Sequence, residues 1–217
     1  MKTRTLAAAT LVAALSACSA EFSPVAVFAI CAPPAPDATT GACLYPATCD
    51  ANLAGIPKLD VTTAKVDFKL AMQINNSLTD NSSVENGRVN TNDAYIQSFE
   101  MTYAGATLAP WSTSAAITVP TAGSSGALLS LIPEAYFASL IPAGSGTTSI
   151  VVNVRGHGIL GSQDSFTTAW FKVPVQICAG CLNVDFCPAK IMASCPGAAL
   201  GATSPGQTAG VVCIDPP

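Results

Sequence analysis

Charge is the scarcest resource in this chain. Only 10% of its 217 residues are Asp, Glu, Lys or Arg, and there is one histidine. Nine basic residues against thirteen acidic ones argue against nucleic acid, whose phosphates demand clustered Lys and Arg. The same balance argues against electrostatic adhesion to anionic lipid. Long apolar runs are also missing after the first residues. The best candidate, Ala127 to Ala143, is interrupted by Pro133, Glu134 and Pro142, so no later segment reads as a membrane span. No Gly-x-Ser-x-Gly elbow, EF-hand spacing or internal repeat is present. With 50% hydrophobic residues, the chain is nonetheless not disordered by composition.

The first eighteen residues are the most informative stretch. Lys2 and Arg4 form a cationic start, an uncharged apolar run follows from Leu6 to Leu15, and Ser16, Ala17 and Cys18 close it. This pattern is that of a secretory signal. Ten helical residues rise only about 15 Å, roughly half the hydrocarbon thickness, which is too short for a permanent span.

The ending Leu15-Ser16-Ala17-Cys18 resembles the lipobox of bacterial lipoproteins. The resemblance implies a diacylglyceryl group on the Cys18 thiol, cleavage just before it and acylation of the new amino terminus. It also implies an outer-membrane destination, because Ser19 replaces the Asp that marks inner-membrane retention in many such proteins. Removing residues 1–17 leaves seven basic and thirteen acidic residues, a net charge of −6. The lipid anchor at Cys18 is then the expected membrane partner, and no nucleic acid or cofactor is expected.

Residues 18–57 read as a tether and an irregular cap, since Pro24, Pro33, Pro34, Pro36, Pro46 and Pro57 discourage regular elements. A short strand is expected at Val25–Ile30. Residues 58–178 read as the main domain. From Val66 to Ile74 the residues Val66, Phe68, Leu70, Met72 and Ile74 alternate with Asp67, Lys69, Ala71 and Gln73, the period of a half-buried strand. Residues 75–94 read as a long exposed loop, with a brief strand near Arg88–Asn90. Tyr95–Tyr103 is expected to place Tyr95, Phe99, Met101 and Tyr103 inward. Ala115–Val119 and Leu128–Leu131 are short strand candidates, joined by a glycine- and serine-rich turn from Pro120 to Gly126. Pro133–Leu140 is the expected helix. Thr147–Val154 alternates again, a turn is expected from Gly156 to Gln163, and Phe166–Ile177 reads as one long strand. Pro174 within it points to an edge or a bulge. These signals imply a mainly β protein: an antiparallel β-sandwich, immunoglobulin-like in general shape, with one short helix and disulfide-stapled irregular ends.

Eight cysteines remain after Cys18: Cys31, Cys43 and Cys49 near the start, then Cys178, Cys181, Cys187, Cys195 and Cys213 near the end. In an exported protein an even number implies a disulfide framework. Three and five are both odd, so complete pairing requires at least one bridge between the two groups. Residues 179–217 then read as a cysteine-rich, loop-like extension of the same domain.

Other chemistries compete with stapling. Cys178-Ala179-Gly180-Cys181 has the spacing of a thiol oxidoreductase pair, though no βαβ pattern surrounds it. Cys178, Cys181, Cys187 and Cys195 could surround zinc, but thiolates in an oxidising compartment become disulfides. His157, with Asp164 and Ser165 nearby in sequence, is the only base available to a hydrolase. Asp80, Asn81, Glu85, Asn86 and Asp93 supply oxygen atoms suited to calcium, with a solvated loop as the simpler reading. The sequence thus points to a structural, assembly or binding component of the envelope, with an envelope protein as partner. An envelope enzyme using His157 or Cys178 and Cys181 is the alternative.

Overall fold

Alternating sequence becomes alternating burial. The computed structural model describes residues 23–31, 55–62, 64, 67–83, 87, 89–142, 146–180, 191–193 and 212–214. Its strands are β1 (Val25–Ile30), β2 (Lys58–Asp60), β3 (Phe68–Asn76), β4 (Ala94–Ala104), β5 (Trp111–Val119), β6 (Ser124–Ile132), β7 (Thr147–Leu160), β8 (Ser165–Thr167) and β9 (Phe171–Cys178), with β10 (Ile191–Ala193) and β11 (Val212–Ile214) towards the end. One sheet has the order β1-β3-β6. The other runs β2-β9-β7-β4-β5, with β8 on β7, and β10 and β11 pair with each other. The two larger sheets share one buried cluster, which makes the fold a β-sandwich.

In β3, Phe68, Leu70, Met72 and Ile74 are each at most 1% exposed, as the alternation requires. In β7 and β9 the same holds for Ile150, Val152, Val154, Val173, Val175 and Ile177. Val66 lies outside the described residues. The expected strand at Val25–Ile30 is β1, and it is an integral part of the smaller sheet, pairing with β3 and burying Val25 and Val27. β2 was not legible in the sequence, because three residues carry no visible period. It pairs with β9 in the one parallel contact among the described strands, Leu59 opposite Ile177. Pro174 lies in the part of β9 that β2 does not reach, so its missing N–H faces an open edge.

Several expectations need correction. The phase of β4 reverses midway: Ile96 and Phe99 are both buried while Tyr95 is exposed. The cause is a bulge, since Ile96 faces Gly158 and Ser98 faces His157, which leaves Gln97 as an extra residue. The expected turn at Gly156-His157-Gly158 is strand instead, and β7 continues to Leu160. Its glycines answer close approach rather than turn geometry. A Cβ on Gly158 would lie 2.2 Å from Tyr95 O, and one on Gly156 would lie 3.2 Å from the Phe99 ring. The chain reverses only at 161–164, where Gln163 N–H donates to Leu160 O at 2.9 Å.

The expected strand at Phe166–Ile177 is broken into β8 and β9. Thr168 makes the break, because its Oγ1 accepts from Gly156 N at 2.8 Å while its own N–H donates to Gly156 O at 2.9 Å. The turn between β5 and β6 is shorter than expected, closed by Gly123 N–H donating to Pro120 O at 3.1 Å. The expected helix is a 3₁₀ helix, Glu134–Leu140, behind Pro133. It buries Phe137 and Leu140, one 3₁₀ turn apart.

The 75–94 region is better tied down than a solvated loop. Asn76, 2% exposed, closes β3. Its Nδ2 donates to Asn92 O at 2.8 Å and to Val119 O at 3.3 Å, and its Oδ1 accepts from Leu78 N at 3.1 Å. Asn81 Oδ1 accepts from Thr91 N at 2.8 Å, and Asn92 Nδ2 donates to Thr79 O at 2.6 Å. No strand forms at Val89–Asn90, while Arg88 lies outside the described residues.

The glycine assignment has a direct test. Gly158→Ala forces its methyl into the β4 backbone, and overpacking of this kind costs about 3 kcal/mol. Urea unfolding of the variant should show a loss of that size, with an unchanged m-value if the fold persists.

Candidate functional site

The outward face of the larger sheet gathers the polar side chains that the inward face excludes. Glu100 on β4 stands opposite Arg155 on β7, and His157 stands opposite both Ser98 on β4 and Thr167 on β8. These are cross-strand neighbours, close enough for direct contact. Arg155 donates from Nε and from Nη2 to Glu100 Oε2, each at 2.9 Å. His157 Nε2 lies 3.2 Å from the same oxygen, and its Nδ1 lies 3.2 Å from Thr167 Oγ1. The Arg155 guanidinium also sits 4.3 Å above the Trp170 ring, a cation–π contact. Thr168 sets up that contact by ending β8 and turning the chain so that Trp170 lies beside β7.

The three ionisable groups are about one third exposed, Arg155 at 31%, Glu100 at 30% and His157 at 35%. Burial is the largest single influence on the Glu100 carboxyl and pulls its pKa upward. The hydrogen bonds and positive charge of Arg155 and His157 together outweigh it and hold the carboxyl below its ordinary 4.5. A shallow cleft of about 310 Å³ adjoins the cluster, lined by Ser98, Glu100, Pro110, Ser112 and His157 among others. The arrangement suits recognition of a polar group by hydroxyl, carboxylate and imidazole. It also forms a hydroxyl–imidazole–carboxylate relay from Thr167 through His157 to Glu100. The amide beside that hydroxyl, Thr168 N–H, is spent on Gly156 O, so it is not available to an oxyanion.

The residues singled out from sequence fare differently. His157 is placed with Glu100 and Thr167, not with Asp164 and Ser165. Asp164 lies in the turn beyond β7 and accepts from Ser162 Oγ at 2.8 Å. Glu100, Arg155, Thr167 and Trp170 were missed. Alternation puts Glu100 on the face opposite Phe99 and Met101, but Arg155 and His157 fall beyond the strand read at Thr147–Val154, and nothing in the sequence says that β4 and β7 are neighbours.

Of the cysteines, only Cys31 and Cys178 have described side chains. Both are buried, at 6% and 1% exposure, and neither is a free thiol. Cys18, Cys43, Cys49, Cys181, Cys187 and Cys195 lie outside the described residues, and Cys213 is placed only as a position in β11. Beside Cys178, the buried carboxylate of Asp60 accepts from Gly180 N at 2.9 Å and from Thr62 N at 3.1 Å. A buried sulfur near a carboxylate is the reverse of the exposed, electropositive setting that activates a redox thiol.

Among the described residues no group of three or more His, Cys, Asp or Glu side chains is placed to hold a metal. Of the loop positions suited to calcium, Glu85 and Asn86 lie outside the described residues. Asp80 accepts from Ser82 N at 2.7 Å, a bond that holds its carboxyl below the ordinary range. Asp93 Oδ1 accepts from Thr121 N at 2.9 Å and from Thr121 Oγ1 at 2.8 Å. That carboxylate clamps the β5–β6 turn.

The ion cluster sets a pH dependence with a definite sign. A carboxyl whose pKa is lower folded than unfolded stabilises the fold above the unfolded value, and the contribution is lost as pH falls through the folded one. The stability gap between wild type and Glu100→Gln should therefore shrink as pH falls below about 4.3. It should not exceed about 1 kcal/mol for so exposed a cluster. Chemical denaturation across pH 3 to 7 measures it. Neither a family model nor a curated protein matches this chain.

Proposed function

We propose that the chain is a lipid-anchored protein of a bacterial envelope, held at the outer membrane through acyl chains on Cys18, with a structural, assembly or binding role. The observation that carries this reading is the signal-like start ending in Leu15-Ser16-Ala17-Cys18. One acyl chain binds a bilayer only marginally, whereas two or more hold it stably. Cys18 precedes the first strand by seven residues, which span at most about 25 Å when extended. The sandwich would therefore work close to the bilayer surface, within reach of envelope proteins embedded there. The eight remaining cysteines form a disulfide framework in this reading. Cys31 and Cys178, buried and not free thiols, are consistent with it. No helix among the described residues is long and apolar enough to cross a membrane, and the anchor does not need one. The outward cluster around Glu100 and the cleft beside it would serve recognition.

A second reading, a hydrolase using His157, draws on the Thr167–His157–Glu100 relay. Three features disfavour it. Arg155 draws on the same carboxylate oxygen as the imidazole, the amide beside Thr167 is engaged, and the hydroxyl belongs to a β-branched residue held in a strand. A thiol oxidoreductase is weaker still, given the burial of Cys178.

Metabolic labelling with a palmitate analogue should mark the wild-type chain and not Cys18→Ala, and equal labelling of both removes the anchor from the account. Turnover of a generic ester should be no faster for wild type than for His157→Ala. A hundredfold or larger drop on substitution, of the order expected for general-base catalysis, would favour the hydrolase instead.

A further inference from the structure

The start of β1 fixes which end of the sandwich lies next to Cys18. Val25 pairs with Asn76, whose Nδ2 donates to Val119 O and Asn92 O. Val119 pairs with Ala94, and Ala94 with Leu160. Pro24 O accepts from both the N–H and the Oγ of Ser77, each at 2.9 Å. Backbone bonds tie the neighbouring turns to the same place. Asn76 N donates to Gly123 O, Ala122 N to Leu78 O, Gly161 N to Asp93 O and Ser162 N to Thr91 O. One end of the sandwich thus gathers the start of β1, the 77–83 and 89–93 stretches and the turns at 120–123 and 161–164. At the other end Thr147 of β7 pairs with Cys178, which pairs with Asp60 of β2. The 14 residues of β7 separate the two ends by about 40 Å.

We propose that the loop-bearing end faces the bilayer and rests on its lipid headgroups, while the end at Cys178 is carried away from the membrane. This orientation depends on the acylation of Cys18. The tether selects the end. Seven residues from Cys18 to Val25 reach at most about 25 Å. With the Cys178 end against the bilayer, Val25 would stand about 40 Å above it. Cys18 would then hang at least about 15 Å short of the surface, with its acyl chains left in water. A flat arrangement is reachable but unsupported. A body fastened by one end sweeps the whole half-space above the plane, of which lying flat is a small part. The mature net charge of −6 supplies no attraction to anionic lipid that would pull it down.

The chemistry of the loop-bearing end suits the headgroup layer rather than the acyl layer. Ser77, Thr79, Ser82, Ser162 and Gln163 are exposed there and can exchange hydrogen bonds with hydrated headgroups. Val89 is the one exposed large hydrophobic residue in these stretches, too little for an apolar wedge. Their described residues include Asp80, Asp93 and Asp164 but no Lys or Arg, so the contact is held by the tether and not by charge. The Glu100–Arg155 pair lies five residues along β7 from Leu160, about 17 Å up the flank. A partner reading that cluster must project that far from the bilayer.

Nuclear magnetic resonance of the acylated full chain in phosphatidylcholine nanodiscs, some of whose headgroups carry chelated gadolinium, tests this. Amide signals of 77–83, 90–93, 121–123 and 161–164 should be lost to paramagnetic broadening, and those of 147–149 and 176–178 should persist. A Gly/Ser linker of about 30 residues inserted after Ser19 has a reach of about 30 Å and should restore much of the lost signal. A wild type that carries no acyl group by mass spectrometry, or does not float with vesicles, overturns the anchor and the orientation together. An acylated, membrane-bound wild type that loses signal equally at both ends, or first at 147–149, overturns the orientation alone. So does a linker variant whose pattern matches the wild type, since the tether would then not be selecting the end.

Discussion

Phe68, Met72 and Ile74 from one sheet and Ile96, Phe99, Val152 and Val175 from the other lie in a single buried cluster. Burying a side chain of this size contributes about 1.5–3 kcal/mol, and the layer they form dictates which way every other residue in these strands must face. The bulge at Gln97 lets both Ile96 and Phe99 enter that layer. The space they occupy is taken from β7, where Gly156 and Gly158 replace the larger residues that precede them in phase. The outward positions opposite then receive Glu100, Arg155 and His157. The polar cluster is thus a by-product of how the core is filled beneath it.

Polar groups drawn into the interior are satisfied locally. Asn76 serves three backbone groups at the end of β3, and Asp60 binds the amides of Thr62 and Gly180 at the start of the cysteine-rich end. Leaving such buried groups unpaired costs about 1–3 kcal/mol each. That cost explains why a stretch rich in Asn and Ser is held in place: its side chains substitute for the ladder that a strand would have provided. The outward ion cluster is a different case, since its groups remain partly hydrated and contribute little to the stability of the fold.

Much of the fold was legible wherever a long strand has one apolar face. β1, β3, the first half of β7 and most of β9 follow from period-two alternation, and the sandwich follows from their number. The signal failed where two residues of one face are not two apart, as in β4, and where small residues stand in for large ones, as at Gly156 and Gly158. It failed again where a strand is too short to show a period, as in β2. The candidate site was legible only one residue at a time. His157 stood out as the sole histidine, but its partners come from β4 and β8, and strand adjacency is a tertiary fact. No local pattern announces that Glu100 will meet Arg155.

The extra residue in β4 also has a bearing on how this chain avoids misfolding. An evenly alternating strand can slide by two positions and still present its greasy side correctly, so such strands have near-equivalent wrong alignments. The halves of β4 are out of step with each other, and a slide of two positions would leave only one of Ile96 and Phe99 opposite a glycine of β7 and set the other against Leu160 or Val154. Gln97 therefore works like the offset tooth of a key, admitting the central strand to the sheet in a single alignment.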